Sequence, residues 1–143
     1  MMVLATCDGE RVCARTVITV FDGLTVYVMA KRDSRKYRQI EANPRVALAE
    51  GGFQIEGVAS LQGRPRDGGN LVYLDRFREQ QPKLFESQSS KGNLDNPNMM
   101  LIKVVPYRVA YYVQKPVAAE SHLKVLEPEE KKAYKWTRER DEF

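Results

Sequence analysis

The sequence predicts a mainly β protein, a small antiparallel barrel with a few helices, rather than a doubly wound α/β fold. Three observations carry this reading. Asp8-Gly9 and Asp22-Gly23 are dipeptides that favour tight hairpin turns, because both central positions take positive φ at little cost. The segments around them are rich in Val, Ile, Thr and Tyr, which suit a pleated, half-buried surface. Further segments of the same kind follow at short spacing, with only one early helix between them.

Residues 1–7 and 10–20 form the first expected hairpin. A two-residue Asp8-Gly9 turn sets Cys7 opposite Glu10 and Cys13 opposite Leu4, so the two cysteines are not cross-strand partners. Asp22-Gly23 then joins residues 16–21 to residues 24–30. Counting back from that turn pairs Phe21 with Leu24, Val17 with Val28 and Arg15 with Ala30. This register brings Arg15 beside the strand end that feeds Lys31 and Ser34.

The stretch AKRDSRKYRQIEANP, residues 30–44, leaves that strand and opens a helix expected over 34–42. Asp33 and Ser34 are good N-cap residues, and Asn43-Pro44 stops the helix because a residue before proline avoids the α region. A first helical turn carries unpaired N–H groups and a partial positive charge, and acidic residues usually fill it. Here it carries a hydroxyl, Ser34, and two cations, Arg35 and Lys36, with Lys31 and Arg32 just upstream. That pattern points to a bound phosphate. The competing reading is a capped surface helix with solvated cations.

The remaining elements follow the same logic. Residues 45–50 read as a short strand, Gly51-Gly52 as a turn, and residues 53–62 as an alternating strand. Gly57 inside that strand implies a bulge or a close backbone approach. After a polar loop over 64–69, Leu71, Leu74 and Phe77 fall at helical spacing from a start at Gly69-Asn70. Pro82 allows a second short helix over 82–87, or a kink, and the polar run 87–98 reads as an exposed loop. Residues 99–115 are the longest strand candidate, with Pro106 implying an edge or a bulge. Tyr107, Tyr111 and Tyr112 read as packing or interface residues. The tail reads as a helix over about 127–140, led by Pro128, Glu129 and Glu130, with Ala133 and Trp136 as a narrow apolar stripe that would dock on the barrel or on a partner chain.

The 143 residues are one domain's worth of chain, expected as a single domain over 1–143. With 43% hydrophobic and 29% charged residues, the composition is that of an ordinary globular protein. The net charge of +4 favours anionic ligands. It does not favour nucleic acid, because the cations gather at one helix start instead of along a strand face with interleaved aromatics. No apolar run approaches the ~20 residues of a membrane span. No basic segment with a cleavage site is seen, so a cytoplasmic location is expected. Cys7, Cys13 and the single His122 match no zinc spacing, and both cysteines read as free thiols.

The run from Leu4-Ala5-Thr6 through Ser34-Arg35-Lys36 to Asn43-Pro44-Arg45-Val46 resembles the pyridoxamine 5′-phosphate oxidase-like family of FMN-binding split β-barrels. The resemblance covers about residues 3–59, with residues 104–113 matching more loosely. It implies a six-stranded antiparallel split β-barrel, FMN as cofactor, and a homodimer with the cofactor in two interface clefts. It also implies site residues. Arg15, Ser34, Arg35 and Lys36 match the positions that hold the FMN phosphate. Thr16, Val17 and Ile18 match the backbone along the flavin ring edge. Met29, Ala30 and Lys31 match the strand end lining FMN, and Gln54 matches a glutamine that reaches the flavin from a later strand. The family usually has Thr where Ala30 stands. The tail lacks the Arg-x-His pattern with which true pyridoxamine phosphate oxidases hold substrate, and His122 lies in Ser-His-Leu-Lys. The expectation is therefore flavin chemistry without vitamin B6 oxidation.

Two functions from different classes fit this resemblance. One is an FMN-dependent oxidoreductase acting on a small molecule, such as a nicotinamide cofactor or a quinone-like electrophile. The other is a non-catalytic flavin-binding sensor or carrier; a deazaflavin could replace FMN in the same fold. No residue is a clear general acid or base, and a flavin hydride transfer needs none.

Overall fold

The computed structural model describes residues 1–114, 121–129 and 133–139, with side chains through Tyr111. Nine strands and three α-helices follow in the order β1 (Met2–Cys7), β2 (Val12–Val17), β3 (Thr19–Asp22), β4 (Thr25–Lys31), α1 (Arg35–Ala42), β5 (Arg45–Glu50), β6 (Phe53–Leu61), α2 (Leu71–Gln80), α3 (Pro82–Ser90), β7 (Met99–Gln114), β8 (Ser121–Glu129) and β9 (Ala133–Glu139). All pairings are antiparallel, in the order β2-β1-β5-β6-β7-β4-β3. The two ends of that order, β2 and β3, are joined by Ile18 alone. A sheet whose edges are separated by one residue of chain must curl, and the result is a half-barrel. The sheet thus has seven strands along its path, with β8 and β9 as a branch, where six strands are expected from the sequence.

β7 is the spine of the sheet. Its first half, from Met99 to Val104, pairs with β4, while residues 109–114 pair with β8 on the same edge. The other edge pairs with β6, and the register shifts between Glu56 and Gly57, where Pro106 lies opposite Gly57. This is the bulge that Gly57 and Pro106 imply.

Two apolar clusters hold the fold. One fills the half-barrel and includes Leu4, Val28, Leu48, Ile55, Ile102 and Val104. The other packs α2 and α3 against the outside of β3 and β4, through Val20, Tyr27, Tyr73, Phe77 and Phe85. The strand β4 is therefore covered on both faces, with Val26, Val28 and Ala30 in one cluster and Tyr27 and Met29 in the other. Its sequence TVYVMAK accordingly reads as a nearly unbroken apolar run. Phe77 and Phe85 meet edge to face at 5.4 Å, a contact of about 0.5–1.5 kcal/mol beyond the buried area.

Both hairpin turns and the C-terminal segment need correction. Asp8-Gly9 is not a two-residue turn: Cys7 pairs with Val12 and Arg15 with Leu4. The Asp8 carboxylate accepts hydrogen bonds from the N–H groups of Glu10 and Arg11, at 3.0 and 2.8 Å, and so stabilises a four-residue loop. The second turn is Gly23-Leu24, with Asp22 opposite Thr25 and Thr19 opposite Val28. Gly23 supplies the positive φ there, at 59°. The pairings of Val17 with Val28 and Arg15 with Ala30 do not form, because the chain leaves the β1 edge at Ile18 before joining β4. The C-terminal segment expected as a helix over 127–140 forms strands β8 and β9 across its described residues. Tyr134, Trp136 and Thr137 favour a strand, and Pro128 lies past Leu126, the last β8 residue paired with β7, where its missing N–H leaves no gap in that ladder.

The helix α1 forms as expected, with Ser34 as its N-cap. The helix α3 runs on to Ser90, so residues 87–90, read as loop, are helical. No helix of the described residues is long and apolar enough to cross a membrane, and among them no cluster of three His, Cys, Asp or Glu could hold a metal. Cys7 and Cys13 are free thiols, as expected.

Candidate functional site

The start of α1 is fixed by Ser34. Its hydroxyl donates to the Lys31 carbonyl at 2.6 Å and accepts from the Tyr37 N–H at 3.4 Å. The strand end at Lys31 and the first helical turn are thus locked together. A second brace comes from the segment before β7: the Arg32 N–H donates to the Asn98 carbonyl at 2.8 Å, and the Asn98 amide donates to Asp33 at 3.0 Å. The first turn of α1 holds no acidic residue. Its dipole and its free N–H groups therefore face a region of positive side chains.

Next to this turn is a cavity of about 340 Å³, within the usual range of about 300–1,000 Å³ for small-molecule sites. It is lined by Thr16, Val17, Ile18, Met29, Ala30, Lys31, Ser34, Lys36, Gln88 and Met99. The crossing at Ile18 supplies one wall, the end of β4 a second, and the start of α1 the cationic end. Eight of the eleven residues singled out from the sequence line this space. Arg15, Arg35 and Gln54 do not.

Arg15 reaches the region by a different route from the one its expected register gives. From β2 its guanidinium donates to Thr6 Oγ1 at 2.7 Å and to the Leu4 carbonyl at 3.3 Å, with Gln39 Oε1 at 3.5 Å. It is close enough to Lys36 to repel it. The Lys36 ammonium is half-buried and held below its ordinary pKa, first by burial, then by the charges of Arg15 and Lys31. Arg15 is itself lowered, mainly by burial. Arg35 points to Cys13 Sγ at 3.8 Å, and this contact leads the lowering of the Cys13 thiol. Among the described residues no carboxylate pairs with Lys36. Gln54 is exposed on β6, on the face opposite the core residue Ile55.

Gln88 and Met99 are the lining residues not read from the sequence. Met99 is brought in by the pairing of β7 with β4, opposite Lys31. Gln88 lies one helical turn beyond Leu84, which packs against the second cluster. The i, i+4 spacing of Leu84 and Gln88 after Pro82 is the signal that could have extended α3 to reach it.

A family model described as pyridoxamine 5′-phosphate oxidase matches residues 1–130. No curated protein matches the chain. Among solved structures the chain is similar to a pyridoxamine 5′-phosphate oxidase-related, FMN binding protein from Nostoc punctiforme PCC 73102, at 14% identity and TM-score 0.69, covering 98% of this chain and 87% of that one. It is similar to PhzG from Burkholderia lata 383, in complex with tetrahydrophenazine-1-carboxylic acid, at 14% identity and TM-score 0.65, covering 98% and 81%. It is also similar to HutZ, the heme storage protein from Vibrio cholerae, at 19% identity and TM-score 0.59, covering 73% and 80%. At such identities these likenesses speak to the fold alone. The family match spans residues 1–130 and agrees with the half-barrel: the chain belongs to the pyridoxamine 5′-phosphate oxidase family, as a relative and not as a strict oxidase.

Proposed function

We propose that this protein binds FMN in the cavity beside α1 and acts as an FMN-dependent oxidoreductase on a small molecule. The observation that carries the reading is Lys36. It is a half-buried ammonium with positive neighbours and, among the described residues, no anionic partner. Burying a charge is costly unless something pairs with it. A phosphate at the start of α1 would relieve that cost, and the first-turn N–H groups would add to the attraction. The donor set of Lys36, Lys31 and the helix amides suits a phosphate monoester. The apolar lining of Val17, Ile18, Met29 and Met99 suits a flat ring system.

In this reading Lys36 and Lys31 neutralise the phosphate, while Ser34 keeps the turn in register. The backbone of residues 16–18 presents its edge to the ring, and Gln88 offers an amide from the opposite wall. Bound flavin would supply the hydride or electron transfer, and the protein positions it and keeps it from bulk water.

The proposed assembly is a homodimer, with a second chain completing the wall over the ring. Sites of this class bury most of the ligand surface, and a half-barrel covers one side of it. Gln54, exposed on the outer face of β6, would then serve the cavity of the partner. The direct experiment is the absorption spectrum of the purified protein before and after incubation with FMN. A flavin spectrum retained through desalting is expected, and a colourless protein that does not take up FMN would sink the reading. Consumption of reduced nicotinamide or of a quinone by the FMN-loaded protein tests turnover. Bound but inert FMN would make the protein a carrier or sensor.

A further inference from the structure

We propose that Gln39 is a positioning residue for the anion end of the cavity, holding the Arg15 guanidinium in place without cancelling its charge. The proposal rests on the phosphate reading above. Gln39 is 3% exposed on α1, three residues after Lys36, so both side chains share one face of the helix. Its amide is fully used. Oε1 accepts from the Thr6 hydroxyl at 2.5 Å and faces Arg15 Nη2 at 3.5 Å. Nε2 donates to the Arg11 carbonyl at 3.0 Å and lies 3.6 Å from Cys13 Sγ.

The chemistry of the partners is the argument. Arg15 is held by a hydroxyl, a backbone carbonyl and an amide oxygen, all neutral acceptors. A carboxylate at position 39 would hold the guanidinium at least as firmly, since charge-assisted bonds are stronger. It would also cancel the field that Arg15 projects toward Lys36. An apolar residue would serve packing alone: the Thr6 hydroxyl would lose its acceptor, and Arg15 would keep Thr6 and the Leu4 carbonyl but lose the amide that fixes Nη2. A buried glutamine does what neither alternative does: it fixes the arginine and leaves its charge available to an anion.

The test is calorimetric titration of FMN, riboflavin and inorganic phosphate against wild type, Gln39→Met, Arg15→Met and the double variant. Gln39→Met keeps the volume and loses the hydrogen bonds. It should weaken FMN and phosphate about tenfold, the scale of one lost charged hydrogen bond. Riboflavin, which has no phosphate, should change by less than about twofold on the same reasoning. If Gln39 acts through Arg15, adding Gln39→Met to Arg15→Met should cost no further FMN affinity. Equal losses for FMN and riboflavin, or additive losses in the double variant, would overturn the proposal. Gln39→Glu is the second variant, should Gln39→Met not fold. It keeps an acceptor for Thr6 and Arg15, gives up the Nε2 donor to the Arg11 carbonyl, and should lose FMN and phosphate affinity, because the carboxylate neutralises Arg15; unchanged affinity would overturn the proposal equally. A wild type that binds phosphate but neither flavin sinks the FMN reading and leaves Gln39 tested on phosphate. A wild type that binds none of the three overturns both.

Discussion

Gly57 on β6 and Val104 on β7 stand so close that a methyl group on Gly57 would lie 2.7 Å from Val104 Cγ1 and 2.8 Å from the Val105 carbonyl. The contact falls at the bulge, where Glu56 pairs with Arg108 and Gly57 with Pro106, leaving Tyr107 out of the ladder. A rigid carbonyl cannot swing aside as a flexible side chain can. Gly57→Ala should therefore destabilise the protein by about 1–3 kcal/mol, the usual cost of overpacking a close contact. Urea unfolding should show a lower midpoint with an unchanged slope. A shift within about 0.5 kcal/mol, the range of an ordinary surface substitution, would mean that the sheet opens at little cost.

Lys36 is the side chain on which the functional reading depends most. Hydrogen bonds to charged groups contribute about 1.5–3 kcal/mol each, so Lys36→Ala should weaken FMN binding by roughly 10- to 100-fold. Riboflavin should be nearly spared. Stability without ligand should not fall, because the variant removes a half-buried charge that repels Arg15 and Lys31. Paired titrations of FMN and riboflavin decide the matter. Equal loss for both ligands would mean that Lys36 shapes the site without touching phosphate; no loss for either would return this turn to a capped helix with solvated cations.

Local signals carried much of this. The N-cap at Ser34, the stop at Asn43-Pro44 and the bulge at Gly57 and Pro106 are written in nearest-neighbour chemistry, and the structure forms each of them. The hairpin registers were not legible, because an Asp-Gly pair does not say which residues are the central two. At Asp8 the side chain captures two backbone N–H groups and lengthens the loop. At Gly23 the turn moves on by one residue. The break at Ile18 has no local signature either: Thr16 to Phe21 reads as one strand, yet β2 ends at Val17 and β3 starts at Thr19 on the far edge of the sheet. Arg15 still comes near Lys36, but through its bonds to Leu4, Thr6 and Gln39. Gln88 was hidden because the polar run Ser87 to Ser90 looks like a loop until the helix before it is extended. In the tail, a narrow Ala133 and Trp136 stripe read as helical outweighed the β-forming Tyr134, Trp136 and Thr137.

The proposed homodimer makes its own prediction. Val58 and Val105 pair across β6 and β7 on the outer face, at 45% and 49% exposure, with Tyr107 nearby at 41%. An apolar strip on the face that carries Gln54 fits a self-complementary interface. Light scattering at micromolar concentration should give twice the chain mass. Val58→Lys combined with Val105→Lys should shift the protein to monomer and weaken FMN and riboflavin together, since both would lose the second wall. A wild-type monomer with FMN bound would rule the arrangement out, and so would a double variant that stays dimeric.

The pH dependence of binding follows from Lys36. Its folded-state pKa lies below the ordinary 10.5, with burial as the main cause. Below the folded pKa the group is charged in both the folded and unfolded states, and the folded state bears the cost of burial and repulsion. Between the folded and the unfolded pKa, the unfolded chain binds more protons. The contribution of Lys36 to ligand-free stability should therefore rise with pH across that alkaline window and level off above it. Binding should do the opposite. A phosphate favours the ammonium, so FMN affinity should fall as pH rises through the folded pKa of Lys36. On the acid side, affinity should rise through about pH 6, where a phosphate monoester takes its second negative charge. FMN affinity should thus be bell-shaped in pH, while riboflavin affinity stays flat across the acid limb. Lys36→Met should remove the alkaline limb and keep the acid one. Titrations of both ligands from pH 5 to pH 10, the span set by those two ionisations, measure this directly. An alkaline limb that persists in Lys36→Met would assign it to another group.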